Sequence, residues 1–183
     1  MRVLFHICCA NCVIYPLLRM REDGREMVGY FFNPNIHPYQ EYRRRLDTLR
    51  LYSEKAGLEV HYRDDYLLEE FLRNVAHRPE DRCRFCYRVR LEATAREAKA
   101  NRFDGFSTTL LYSVYQKHQL IRETGEQVST EVGIPFCYED FRPGWKKGVE
   151  ISKAMELYRQ QYCGCIYSEK ERYLAKVKDK KSL

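Results

Sequence analysis

Seven of the eight cysteines fall into three short groups: Cys8-Cys9-Ala10-Asn11-Cys12, Cys83-Arg84-Phe85-Cys86 and Cys163-Gly164-Cys165. A cysteine that only fills a core behaves as a small hydrophobe and turns up singly. Thiols spaced one to three residues apart are chelating or redox groups. Cys-x-x-Cys occurs twice, as Cys9/Cys12 and Cys83/Cys86, a spacing that brings two thiolates to one metal, or to two irons of one cluster, without straining the chain. Seven thiols are too many for one tetrahedral zinc, and two complete all-cysteine sites would need eight. The eighth, Cys137, lies in the apolar run Ile134–Tyr138 and reads as core. An iron–sulfur cluster takes four thiolates. The remaining three can serve a second metal, or two of them a redox dithiol. Cys163-Gly164-Cys165 suits a dithiol because glycine permits the tight turn that joins two sulfurs. Arg82, Arg84, Arg88 and Arg90 flank the second pair; they read either as charges that favour thiolate and an anionic cluster or as an ordinary helix surface.

Elements that must position these groups alternate along the chain. Arg2–Ile7 reads as a buried strand and Val13–Arg21 as a helix with Pro16 in its first turn, where a missing N–H is harmless. Met27–Phe32 is a second strand, ended by Asn33-Pro34-Asn35. In Tyr39–Ala56, Tyr42, Leu46, Leu49 and Ala56 line one face of a helix, and Gly57 stands where a C-terminal cap belongs. Leu58–Tyr62 is a third strand and Tyr66–Val75 a helix. After a Cys83/Cys86 loop, Arg88–Ala100 is helical by composition. Phe103–Leu110 and Ile134–Tyr138 are strands four and five, with helices over His118–Glu131, Val149–Arg159 and Ser168–Val177. Strands separated by helices imply parallel pairing with right-handed crossovers. The expected fold is therefore α/β, a single three-layer open parallel sheet of Rossmann-like type, with residues 1–183 as one domain. Sites in such folds form at the carboxyl ends of the strands. Cys8, Cys9 and Cys12 fall there, as do Asn33–His37, Asp64-Asp65 and Thr108-Thr109.

Bulk properties narrow the class. The chain has 183 residues, 44% apolar and 32% charged, with a net charge of +6. That charge is compatible with a polyanionic partner without requiring one. Fifteen tyrosines and nine phenylalanines read mainly as core, with some left to stack on bases. No window approaches the roughly 20 apolar residues of a membrane span, and the first residues do not resemble a signal peptide. The expected compartment is the cytoplasm, where thiols stay reduced and clusters of them point to metal or catalysis rather than disulfides.

The motifs also carry a resemblance. His6-Ile7-Cys8-Cys9-Ala10-Asn11-Cys12 resembles the H-x-C-C-A-P-C opening of the cobalamin-independent epoxyqueuosine reductases. Phe32-Asn33-Pro34-Asn35-Ile36-His37-Pro38, Arg82 to Arg88, Thr108-Thr109-Leu110 and Tyr158 to Ser168 continue the match in order. Asn11 stands where that family usually has proline, a departure expected only to loosen the loop. The resemblance implies reduction of the epoxide of epoxyqueuosine to queuosine at the wobble position of tRNA. It further implies an iron–sulfur enzyme with an external electron donor and no cobalamin. The fold it implies is similar to the nucleotide-binding domain of ATP-pyrophosphatases. Because the phosphate loop of those enzymes is missing, no ATP is expected.

On that resemblance a [4Fe–4S] cluster is expected on Cys8, Cys9, Cys83 and Cys86. Cys12, Cys163 and Cys165 are left for a second iron, or Cys163 and Cys165 for a dithiol that supplies both electrons. Because neighbouring side chains point apart, Cys8 and Cys9 can also divide between the two metals. Asp64, Asp81, His37, Tyr39 and Tyr167 are loop candidates for proton donation, each also readable as a cap, turn or surface residue. Asn33 and His37 are the first candidates to read the base, with Tyr39 and Tyr167 as further substrate contacts. Arg43-Arg44-Arg45 and the C-terminal Lys170, Arg172, Lys176, Lys178, Lys180 and Lys181 are candidate phosphate contacts. Two rival readings remain: a colourless zinc module that binds RNA without catalysis, and a tRNA sulfur-transfer enzyme that consumes ATP.

Overall fold

A computed structural model of the chain describes residues 1–181, with side-chain positions through residue 174. Among the described residues four parallel strands form one sheet in the order β3-β2-β1-β4. These are β1 (Arg2–His6), β2 (Glu26–Phe31), β3 (Val60–Tyr62) and β4 (Gly105–Thr108). The central strands are apolar along their length, with Val3, Leu4, Phe5, Val28 and Phe31 buried, as expected for parallel strands covered on both faces. β1 pairs with β2 through Phe5↔Gly29 and with β4 through His6↔Thr108.

The helices are α1 (Ala10–Glu22), α2 (Tyr39–Ala56), α3 (Leu68–Val75), α4 (Arg82–Ala100), α5 (His118–Val132), α6 (Trp145–Ala154) and α7 (Ile166–Lys181). α1 packs on α2, and α4 on α5. Right-handed crossovers place these pairs on opposite faces of the sheet. Strand order reverses at β1, which has β2 on one side and β4 on the other. The crevice beyond the ends of β1 and β4 is thus the switch point of the sheet, where ligands of open α/β folds bind.

Tyr39–Ala56 is the helix expected, stopped by Gly57 in the left-handed conformation. Other expectations need correction. The segment Ile134–Tyr138 is not a strand but makes a single bridge, Phe106↔Phe136. Pro135 has no N–H for a ladder, and the Tyr138 N–H turns back to the Phe136 carbonyl at 3.1 Å. Pro16 lies inside α1 rather than in its first turn, because the helix begins directly after Cys9. Cys83 and Cys86 occupy the first turns of α4 and not a loop. The expected strands at Leu58 and Phe103 begin later, and α6 ends at Ala154, leaving 155–165 as an irregular segment over the site. Among the described residues no helix is long and apolar enough to cross a membrane.

Candidate metal centre

The sharp turn after β1 delivers Cys8 and Cys9 to the switch point, and the first turn of α1 brings back Cys12. The sulfurs of the three lie within 4.8 Å of one another and all three residues are buried. Cys8 and Cys9 sulfurs are 3.8 Å apart, and Cys9 and Cys12 sulfurs 3.2 Å. Gln160 covers them, its amide Nε2 donating to Cys9 Sγ at 3.0 Å. Asn11 does not loosen this turn. It donates to the Tyr158 carbonyl and to Gln160 Oε1, each at 2.8 Å, and accepts from Ser152. Asparagine here ties the first cysteine loop to the irregular segment.

The other four thiols converge separately. Cys83 and Cys86, one helical turn apart on α4, line a small cavity with Cys163, Cys165, Asn35 and Arg90. All eight cysteines are free. The Cys163–Cys165 turn is held against the loop after β2: Arg45 donates to the carbonyls of Cys163 (3.0 Å) and Tyr162 (2.9 Å), and Tyr162 donates its hydroxyl to the His37 carbonyl. Three thiols thus meet after β1 and the other four line one cavity.

A buried polar chain supports the first group from beneath. His6 Nε2 lies 3.1 Å from Asn33 Oδ1 and Nδ1 lies 3.0 Å from Thr108 Oγ1. Asn33 donates its amide to the Ile7 carbonyl at 2.9 Å, which leaves Oδ1 to accept from His6. The tautomer consistent with this network carries its proton on Nε2. Burial, reinforced by the charge of Arg90, lowers the His6 pKa to about 3, so the ring is neutral. Thr109 Oγ1, next along, accepts from the Cys8 N–H at 3.4 Å.

Electrostatics separate the thiols. Hydrogen bonds from Cys12 and Cys9 hold Cys8 well below the ordinary thiol range. Burial pushes Cys9 up, and hydrogen bonding with Cys8 and Cys9 pushes Cys12 up. Cys163 is lowered to about 7 by a hydrogen bond from Cys165, which is raised in return. Burial raises Cys86 to about 12. Two buried guanidiniums link the groups. Arg45 bonds the Cys163 carbonyl while its charge acts on Cys9 and Cys8, and the charge of Arg90 acts on Cys86, Cys8 and Cys163.

The remaining candidates are distributed around this centre. His37 is 1% exposed, and neither ring nitrogen has a hydrogen-bond partner of ordinary geometry. Its ring packs on Phe71, a wall of the four-cysteine cavity. Asn33 is buried with both ends of its amide engaged, as described above. Tyr39 is exposed, with its ring edge-on to Tyr66. Tyr167 flanks the four-cysteine group under Arg82. Asp64 accepts from Tyr42 (2.9 Å), Arg43 (3.1 Å) and Arg50 (3.3 Å), an ion-pair network on α2, and Asp81 precedes α4. Of the Arg43–Arg45 run, Arg45 is buried on Glu41, Arg43 pairs with Asp47 and Asp64, and Arg44 is exposed over Tyr158. Lys170 and Arg172 are exposed on α7; the side chains of Lys176, Lys178, Lys180 and Lys181 lie outside the described residues. Sequence reasoning missed Asn35 as a buried acceptor, its Oδ1 without a partner, and read Arg45 as a phosphate contact, whereas Arg90 was among the arginines expected beside the second cysteine pair. Arg90 stands four residues after Cys86 on α4, the spacing that brings it to that sulfur.

Sulfur donors converging from three segments, with buried cations and no disulfide, suit a thiophilic metal. The architecture therefore defines a class, an α/β protein whose buried thiol cluster can bind a metal. The chain belongs to the epoxyqueuosine reductase QueH family, whose model matches residues 3–171. Among curated relatives, the epoxyqueuosine reductase QueH of Dehalococcoides mccartyi is 39% identical over 172 residues, covering 94% of both chains. That of Streptococcus pyogenes is 36% identical, covering 98% of this chain and 74% of the relative. That of Thermotoga maritima is 34% identical, covering 93% and 91%.

Proposed function

We propose that this chain is an epoxyqueuosine reductase, converting epoxyqueuosine to queuosine in tRNA. The observation that carries this reading is the gathering of three thiols at the switch point and of four more in one cavity, in a chain of this family. Removal of an epoxide oxygen as water consumes two electrons and two protons. We assign Cys83, Cys86, Cys163 and Cys165 to a [4Fe–4S] cluster, in place of the set expected from sequence, and Cys8, Cys9 and Cys12 to a second iron. When bound, such a centre supplies electrons singly and Lewis acidity at the epoxide oxygen.

The protein's own groups bind and orient. Burial lowers the His37 pKa to about 4, with only partial offset from the Pro34 carbonyl, so the ring is neutral near pH 7. His37 then offers the substrate one donor and one acceptor, with the free Oδ1 of Asn35 as a further acceptor. Asn33 works from below, fixing His6 and the turn that carries Cys8. Tyr39 and Tyr167 supply aromatic faces at the rim, and Asp64 holds Tyr42 and the arginines of α2. The cysteines of the four-thiol group serve as ligands rather than as a dithiol. The whole chain acts as one catalytic domain with a Rossmann-like arrangement, in the cytoplasm, with an external electron donor.

The test is direct. Anaerobically purified protein is loaded with iron and sulfide and given a one-electron reductant and epoxyqueuosine-containing tRNA, without cobalamin or ATP. Nucleoside analysis by mass spectrometry should show queuosine. A loaded, coloured protein that leaves the epoxide intact would refute the reading. A colourless protein that retains zinc would favour the RNA-binding alternative.

A further inference from the structure

Arg90 is 2% exposed, and its guanidinium has no carboxylate within ion-pair distance among the described residues. Arg45, equally buried, has Glu41 at 2.7 Å. A guanidinium cannot shed its proton, and an unpaired buried charge is strongly unfavourable. The compensation must come from what faces it. Nε donates to the Cys86 carbonyl and Nη2 to Cys86 Sγ, both at 2.9 Å, which locks the planar head onto one cysteine. The ring of Tyr87 lies 5.7 Å away. Tyr87 is held neutral, its hydroxyl pKa pushed upward by burial. As a thiolate metal ligand, the Cys86 sulfur held by Arg90 would supply the counter-charge.

We propose that Arg90 is a positioning residue for the thiolate centre: locked onto Cys86, its charge and its N–H···S bond raise the reduction potential of the bound cluster. This rests on the iron–sulfur reading above. Taking up one electron from an external reductant gives the cluster one more negative charge. A cation fixed beside a ligand sulfur favours that reduced form, and burial protects the effect from salt.

The test is a redox titration with dithionite, followed by electron paramagnetic resonance, on anaerobically reconstituted wild type, Arg90→Met and Arg90→Lys. Arg90→Met should retain iron and sulfide but titrate at a more negative midpoint. Arg90→Lys, which keeps the charge but not the planar head, should titrate nearer to wild type with altered g-values. An unchanged midpoint in iron-loaded Arg90→Met overturns the inference while leaving the metal reading intact, as does a lysine variant shifted as far as methionine. Should Arg90→Met fail to load, Arg90→Lys decides. Loading with a near-wild-type midpoint supports the role of charge, and a lysine variant that takes up no iron overturns it. Wild type that takes up no iron overturns both readings.

Discussion

The backbone N–H of His37 donates to the carbonyl of Gly164 at 2.8 Å, stapling the loop after β2 to the turn between Cys163 and Cys165. Gly164 adopts φ +136°, and a Cβ there would meet Ile36, Arg45 and Asn35 at 3.1 to 3.3 Å. Gly164→Ala should therefore cost about 1–3 kcal/mol through backbone strain alone and displace the thiols beside it. Thermal unfolding together with iron content measures both. Unchanged iron uptake would show that the turn adapts without help from glycine.

His37→Phe should stabilise the protein and impair turnover. A buried group without a partner costs about 1–3 kcal/mol, and the ring already packs between Phe71 and Tyr66. The pH dependence gives a second check. With a folded pKa of about 4 against an ordinary 6.5, the unfolded state binds the proton first as pH falls. The stability is thus complete above pH 6.5 and is lost between 6.5 and 4, by on the order of 3 kcal/mol. His37→Phe should flatten that limb of a denaturation series. An acid limb identical to wild type would mean that His37 titrates normally.

The division of thiols predicts two metal phenotypes. Cys83→Ala or Cys165→Ala should abolish the visible chromophore, and the loss of bound cluster should lower stability. Cys12→Ala should remove iron while leaving the chromophore. Cys137→Ala should leave iron unchanged, since that thiol packs against Gly105 at the edge of the sheet. Iron and sulfide analysis with absorption spectra distinguishes these outcomes; undiminished colour in Cys165→Ala would contradict the four-cysteine assignment.

Local signals made much of this legible. Thiol spacing announced the centre, and the apolar run of Tyr42, Leu46 and Leu49 ending in Gly57 gave α2 to the residue. What was lost depends on tertiary context. An arginine in a basic run looks like a phosphate contact, yet Arg45 is buried because Glu41 and two loop carbonyls meet it. Cysteines at i and i+3 fit a loop or a helix equally, and α4 begins at Arg82. Asn11 looked like a loose substitute for proline because its partners, Tyr158 and Ser152, lie more than a hundred residues away.

The proposed reaction requires a hold on tRNA, which divides into stacking and charge. Tyr115 is 81% exposed, edge-on to Trp145 at 5.5 Å, and its neighbour Gln116 lines the four-cysteine cavity. A rigidly backed aromatic at the mouth of a site is suited to stack on a nucleobase, worth about 1–3 kcal/mol per base. Tyr115→Ala should weaken tRNA binding by roughly tenfold with the salt slope unchanged, because stacking displaces no counterions, and Tyr115→Phe should restore it. Arg44, exposed and free of a carboxylate partner among the described residues, is the member of its run available to phosphate. Arg44→Gln should lower the slope of log K against log salt by about one unit. The two effects are read from tRNA affinity measured across a salt series. A slope change in Tyr115→Ala, or none in Arg44→Gln, would reverse these assignments.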